Sequence, residues 1–91
     1  MNIGKLYQAK ELYWMLYPSK DIAAAAPAAV AASTTAAYYS KKYNCNVSYI
    51  SPNSIFCFLE QDGNFMKILS TNGELGWIIY PKKGCIEEVN Q

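Results

Sequence analysis

The sequence predicts a mainly β domain: a small antiparallel barrel of five to six strands with an alanine-rich insertion. Three observations carry that prediction. Short apolar runs recur after residue 46 at about ten-residue spacing, each closed by a turn cluster, which is the pattern of a sandwich or barrel. Two of the closures contain Asp62-Gly63 and Asn72-Gly73, dipeptides that supply the positive φ of a tight reversal. The region runs only from 47 to 89, too short for two full sheets, so a compact barrel is the expected arrangement.

Residues 3–8 and 12–17 are short apolar or aromatic runs separated by Ala9, Lys10 and Glu11. Tyr13, Trp14 and Tyr17 favour pleated, partly buried surfaces, so both runs read as strands, the second ending at Tyr17-Pro18-Ser19. An amphipathic helix over 6–16 is the competing reading; aromatic density and the proline stop favour strand.

Residues 22–39 carry no charge but are mostly alanine, interrupted by Pro27, Ser33, Thr34 and Thr35. A membrane span needs about 20 strongly apolar residues, and this stretch has little beyond Ile22 and Val30. Alanine is the best helix former, Ser19 or Asp21 can cap a start, Pro27 suits a first turn, and Lys41 and Lys42 complement a C-terminal dipole. The expectation is a helix over about 28–39 inside an insertion spanning 22–43, with an insertion of no specific structure as the alternative. No repeat or second domain is indicated, and the chain reads as one unit from 1 to 91.

Residues 47–50 alternate weakly and stop at Ser51-Pro52-Asn53-Ser54, a turn cluster. The apolar run 55–59 is joined through 60–64 to the run 65–69, and 70–74 joins that to 75–79, giving a three-stranded meander. Gly76 beside Trp77 marks a sharp bend or a close backbone approach. Pro81-Lys82-Lys83-Gly84 breaks the chain before a last short strand over 85–89.

In order, Ser51-Pro52-Asn53-Ser54-Ile55, Phe58-Leu59-Glu60, Asp62-Gly63-Asn64-Phe65-Met66-Lys67-Ile68, Asn72-Gly73-Glu74-Leu75-Gly76-Trp77-Ile78 and Ile86-Glu87-Glu88-Val89 resemble the later part of a Src-homology-3 domain. The match covers about residues 47–89, and Leu16-Tyr17-Pro18 is similar to that family's Ala-Leu-Tyr signature. The resemblance implies an SH3-like barrel and, in peptide-binding members, a groove of aromatic rings for a polyproline II ligand. Carried over residue by residue, it points to Tyr17, Phe65, Trp77, Tyr80 and Pro81. Phe65 stands where the family places an indole and has no N–H to donate. The turn around Pro81 departs from the family's Pro-Ser-Asn-Tyr, and Asp21 is the only acid between Pro18 and Asn46.

Tyr38, Tyr39, Tyr43 and Tyr49 lie within twelve residues, more rings than one small core buries, and tyrosines suit interfaces. A surface for a protein or peptide partner, or for self-association, is therefore the expected function, with Tyr38 and Tyr39 among its contacts. Trp77 and Phe65 read as core or barrel wall ahead of ligand platforms, because a barrel this small has few large side chains with which to exclude water. The runner-up is weak binding of single-stranded nucleic acid, with Lys41, Lys42, Lys82 and Lys83 on phosphates. A formal charge of +1, with eight lysines and no arginine, supplies little field for it.

Catalysis is not expected. The chain has no histidine, the side chain best suited to proton transfer near neutrality and the commonest metal ligand. Glu87 and Glu88 adjoin in a strand and point to opposite faces, while Asp62 and Glu74 sit at turns. Cys45, Cys57 and Cys85 lack the close spacing of a metal or redox pair; Cys57 and Cys85 read as small core residues, and a Cys45 disulfide is left open. No metal, cofactor or membrane is implied, residues 1–8 do not read as a signal peptide, and a cytoplasmic setting is the default.

Overall fold

The computed structural model describes residues 3–10, 12–30, 32, 34–79 and 86–89. Its strands are β1 (Leu6–Ala9), β2 (Tyr13–Leu16), β3 (Ala29–Val30), β4 (Ser48–Ile50), β5 (Ile55–Asp62), β6 (Phe65–Ser70), β7 (Leu75–Ile79) and β8 (Ile86–Glu88), and its helices are α1 (Lys20–Ala24) and α2 (Thr35–Tyr43). The fold is mainly β. Its radius of gyration, 12.0 Å, matches the ~12 Å expected of a folded chain of this length.

One antiparallel sheet has the order β7-β6-β5-β1-β8, and a second has the order β3-β2-β4. Both strands expected before the insertion are present, as is the meander. Gly63 opens the β5–β6 turn at φ 59°, and Asn53 takes φ 70° in the 51–54 turn.

The expected closed barrel is corrected: among the described residues β7 and β8 do not pair, and the five-stranded sheet stays open. The reason lies in β2. Its odd-numbered backbone groups face one edge, where Met15 N–H donates to Ala28 O at 3.1 Å, and one step on Tyr17 and Trp77 exchange N–H···O bonds of 2.9 and 2.7 Å. The second sheet thus occupies the β7 edge that a closing strand would need. The bulge in β5 between Phe58 and Glu60 adds the local twist that bends this end of the sheet.

Alternation along the strands sends Tyr7, Trp14, Leu16, Ile50, Phe56, Phe58, Met66, Ile68 and Ile78 into one core. The opposite face of β2 contributes Met15 and Tyr17 to a second cluster completed by Ala23, Ala36 and Val47. β2 is buried on both faces, which is why its sequence is a continuous apolar run rather than an alternation. The buried indole nitrogen of Trp14 has no hydrogen-bond partner among the described residues.

The helix expected over 28–39 is displaced. Residues 29 and 30 form β3, because the exposed edge of β2 offers hydrogen bonds that a short isolated alanine helix does not outcompete. Pro27 therefore precedes a strand instead of opening a helix. Ser19 does cap α1, its Oγ accepting the Ile22 N–H at 3.4 Å, and Lys41 and Lys42 do lie in the last turn of α2. Asn44, left-handed at φ 51°, ends that helix, and Ser40 Oγ accepts the Val47 N–H at 2.9 Å, fixing the entry to β4.

Candidate interaction surface

The register of α2 places Tyr39 and Tyr43 one turn apart, where residues four apart share a face. Their rings stack at 5.9 Å with 12° between planes, and Tyr38 meets Tyr39 edge-on at 5.0 Å. The Lys42 ammonium lies 5.9 Å from the Tyr39 ring and 5.6 Å from the Tyr43 ring. The Tyr43 hydroxyl donates to Ala25 O at 3.0 Å, tying this ladder to the end of α1. Tyr38 remains 61% exposed. The result is a ring with an open face on a support that is already ordered.

Tyr17, Phe65 and Trp77 are brought together on a different face. Tyr17 opposes Trp77 across the bridge between the sheets, and Phe65 and Ile79 pair two residues along on the same face and pack against the second core. The helix α1 packs against β7, so this face is roofed. Lys20 lies 5.3 Å from the Trp77 ring and is paired with Asp62; that hydrogen bond is the main reason the Lys20 pKa is raised. Tyr17 has no exposed surface. Tyr80 and Pro81 lie outside the described residues, as do Lys82, Lys83 and Cys85.

The Tyr17 hydroxyl donates to Pro27 O at 2.6 Å. Burial pushes its pKa well up, and the nearby hydroxyls of Tyr39 and Tyr43 and the Cys45 thiol add to the effect. A folded-state value above the unfolded one, about 10, means the native state holds its proton longer. Stability contributed by this group is complete below about pH 10 and is lost as pH rises from there toward the folded-state value. In an alkaline titration read at the phenolate band, one of the eight tyrosines should ionise late, together with unfolding. Tyr17→Phe should abolish that lagging step, and its survival in the variant would refute the assignment.

Sequence reasoning missed a second exposed feature. Register pairs Leu6 with Cys57, Cys57 with Leu69 and Leu69 with Leu75, setting four apolar side chains in one row across the outer face of the first sheet. Leu75 is 59% exposed, and Cys57, read from the sequence as core, is half-buried here with a free thiol. The signal was present: runs such as Ile55-Phe56-Cys57-Phe58-Leu59 are apolar in both phases, so the outer phase had to go somewhere. Cys45 is also a free thiol. Tyr49, 40% exposed, meets Tyr13 edge-on at 5.6 Å.

No group of three or more potential metal-ligating side chains is found among the described residues. No helix among them is long and apolar enough to cross a membrane. Compared with known protein families, with curated proteins and with solved structures, the chain matches none.

Proposed function

We propose that this chain is a non-catalytic interaction module that engages a protein partner, or a second copy of itself, through the tyrosine face of α2. The carrying observation is Tyr38, exposed on a ring stack held by Tyr39, Tyr43 and Lys42. Aromatic anchors of this kind dominate binding energy where they enter a partner's pocket, because little side-chain entropy is lost on docking. The exposed row ending at Leu75 adds apolar surface that monomeric proteins keep small.

An SH3-like order of strands, in a sheet that stays open rather than closing as a barrel, is the fold we assign to this module. It is supported by the β5–β6–β7 meander, by the close approach at Gly76 and by the return of β8 to β1. Proline-rich recognition through Tyr17, Phe65 and Trp77 would need α1 to lift, whereas the α2 face is open as it stands.

The test is a proton–nitrogen NMR titration with a proline-rich peptide pool and with a short single-stranded oligonucleotide, at low and moderate salt, alongside sedimentation velocity across protein concentration. Expected are concentration-dependent association, or peptide shifts, centred on α2. Tyr38→Ala should weaken either by about 2 kcal/mol, roughly thirtyfold, while changing unfolding free energy by no more than about 0.5 kcal/mol. Shifts at Lys41 and Lys42 produced by the oligonucleotide and erased by salt would overturn the reading in favour of nucleic acid.

A further inference from the structure

A cleft of about 180 Å³ opens between β4 and the β6–β7 turn, lined by Ser48, Tyr49, Ser51, Ser70, Thr71 and Glu74 among others. It shares no residue with the α2 face. The cleft is small beside the 300 Å³ or more typical of drug-sized ligand sites, and its wall is rich in hydroxyls.

Two features define what would fill it. First, β4 is an edge strand. Met15 and Tyr17 turn their backbone groups toward β3 and β7, so by the alternation of an antiparallel ladder Trp14 and Leu16 face β4 and bond to Ile50 and Ser48. The N–H and C=O of Tyr49 therefore point away from β2, at the cleft. Val47, which faces the same way, is already satisfied by Ser40 Oγ; Tyr49 is the rung left open to an added strand.

Second, among the described residues Glu74 is the only ionisable carboxylate in the lining, and no lysine lines it. Its backbone N–H is held by Ser70 Oγ at 3.1 Å and its C=O by Ser70 N–H at 2.9 Å, which fixes the residue at the cleft rim. Its carboxylate makes no ion pair among the described residues. A neutral polyol would satisfy the hydroxyls but leave the strand edge and this charge without partners.

We infer that the β4 edge and Glu74 form a docking cleft for an extended peptide segment bearing a lysine or arginine. The segment's main chain adds to Tyr49 as a short strand, and its cation meets the Glu74 carboxylate over the hydroxyl-lined wall.

The inference is tested on the ¹⁵N-labelled chain with acetyl-Val-Thr-Lys-Thr-Val-amide and with its Glu-centred counterpart. The Lys peptide should move the amides of Tyr49 and of residues 70–74 and slow hydrogen exchange at Tyr49. The Glu peptide should bind at least about fivefold more weakly, and Glu74→Gln should bring the two peptides within about twofold of each other. Charge reversal on the peptide keeps the test valid even if that variant does not fold. Absence of shifts at millimolar Lys peptide, equal binding of both peptides to the native chain, or binding of butylamine as tight as that of the Lys peptide would overturn it. So would methyl glucoside moving the same amides, which would mark a sugar site.

Discussion

Gly76→Ala should destabilise the protein by about 2–3 kcal/mol, the upper part of the range for overpacking a closed core. A Cβ built at Gly76 would lie 2.7 Å from Cγ and Cδ1 of Leu16 and 2.9 Å from the carbonyl oxygen of Tyr17. Leu16 is buried and has little room to yield, and the Tyr17 carbonyl accepts the Trp77 N–H in the bond that joins the two sheets. Relief therefore requires moving β2 away from β7 at the point where they are stitched. For a domain of this size the loss corresponds to a fall in Tm of about 10–20 °C. Denaturant unfolding of the variant checks it: a midpoint within experimental error of the parent would show that β2 and β7 are not in contact at this rung. Gly73→Ala is the useful companion. It has φ +82° but open space around the Cβ position, so it should cost only about 1 kcal/mol of backbone strain.

The same glycine shows how much of the fold was legible in the sequence. A glycine inside an apolar run announces a bend or a close approach, and Gly76 is one, but nothing in the sequence names β2 as the strand that approaches. The meander was legible because hairpins are local: turn residues and flanking runs fix each other within a dozen residues. The second sheet was not, because pairing of residues 13–16 with 29–30 and 48–50 is set by tertiary contact across an insertion of low information content. Alanine was read as a helix former, yet Ala23 and Ala36 matter as small residues that let α1 and α2 approach Tyr17. The propensity signal was outweighed by the hydrogen bonds available at the β2 edge.

For the candidate surface, tyrosine density around 38–49 was legible as more rings than one small core can bury. Which rings would be open was not. Tyr39 and Tyr43 are held against the end of α1 by contacts that depend on where the insertion turns back. Tyr17, Phe65 and Trp77 do converge, but they are covered by α1, which leads into the insertion. The β4 cleft carries no motif at all: it is created by a strand edge and a turn brought together from residues 48–55 and 70–74.

Tyr17 is the residue through which these parts are coupled, and truncating it should have the largest effect of any single change. Its backbone joins the sheets at Trp77, its ring fills the second core, and its hydroxyl holds Pro27 O. Tyr17→Phe removes only the last of these and leaves a carbonyl without its donor, at a cost of about 1–2 kcal/mol. Tyr17→Ala also empties the ring's volume beneath α1, and aromatic truncations in cores cost about 3–5 kcal/mol. A domain of 91 residues has roughly 5–14 kcal/mol in total, so the alanine variant should lie near the edge of folding while the phenylalanine variant folds. The order of the two steps is the discriminating result. If Tyr17→Ala costs no more than Tyr17→Phe, measured by denaturant unfolding, the ring is not packed between β2 and the helices, and α1 is an appendage that could leave the Trp77 face without loss. If the ring step dominates, α1 is part of the folded core, and the aromatic face beneath it is closed to partners in the native state.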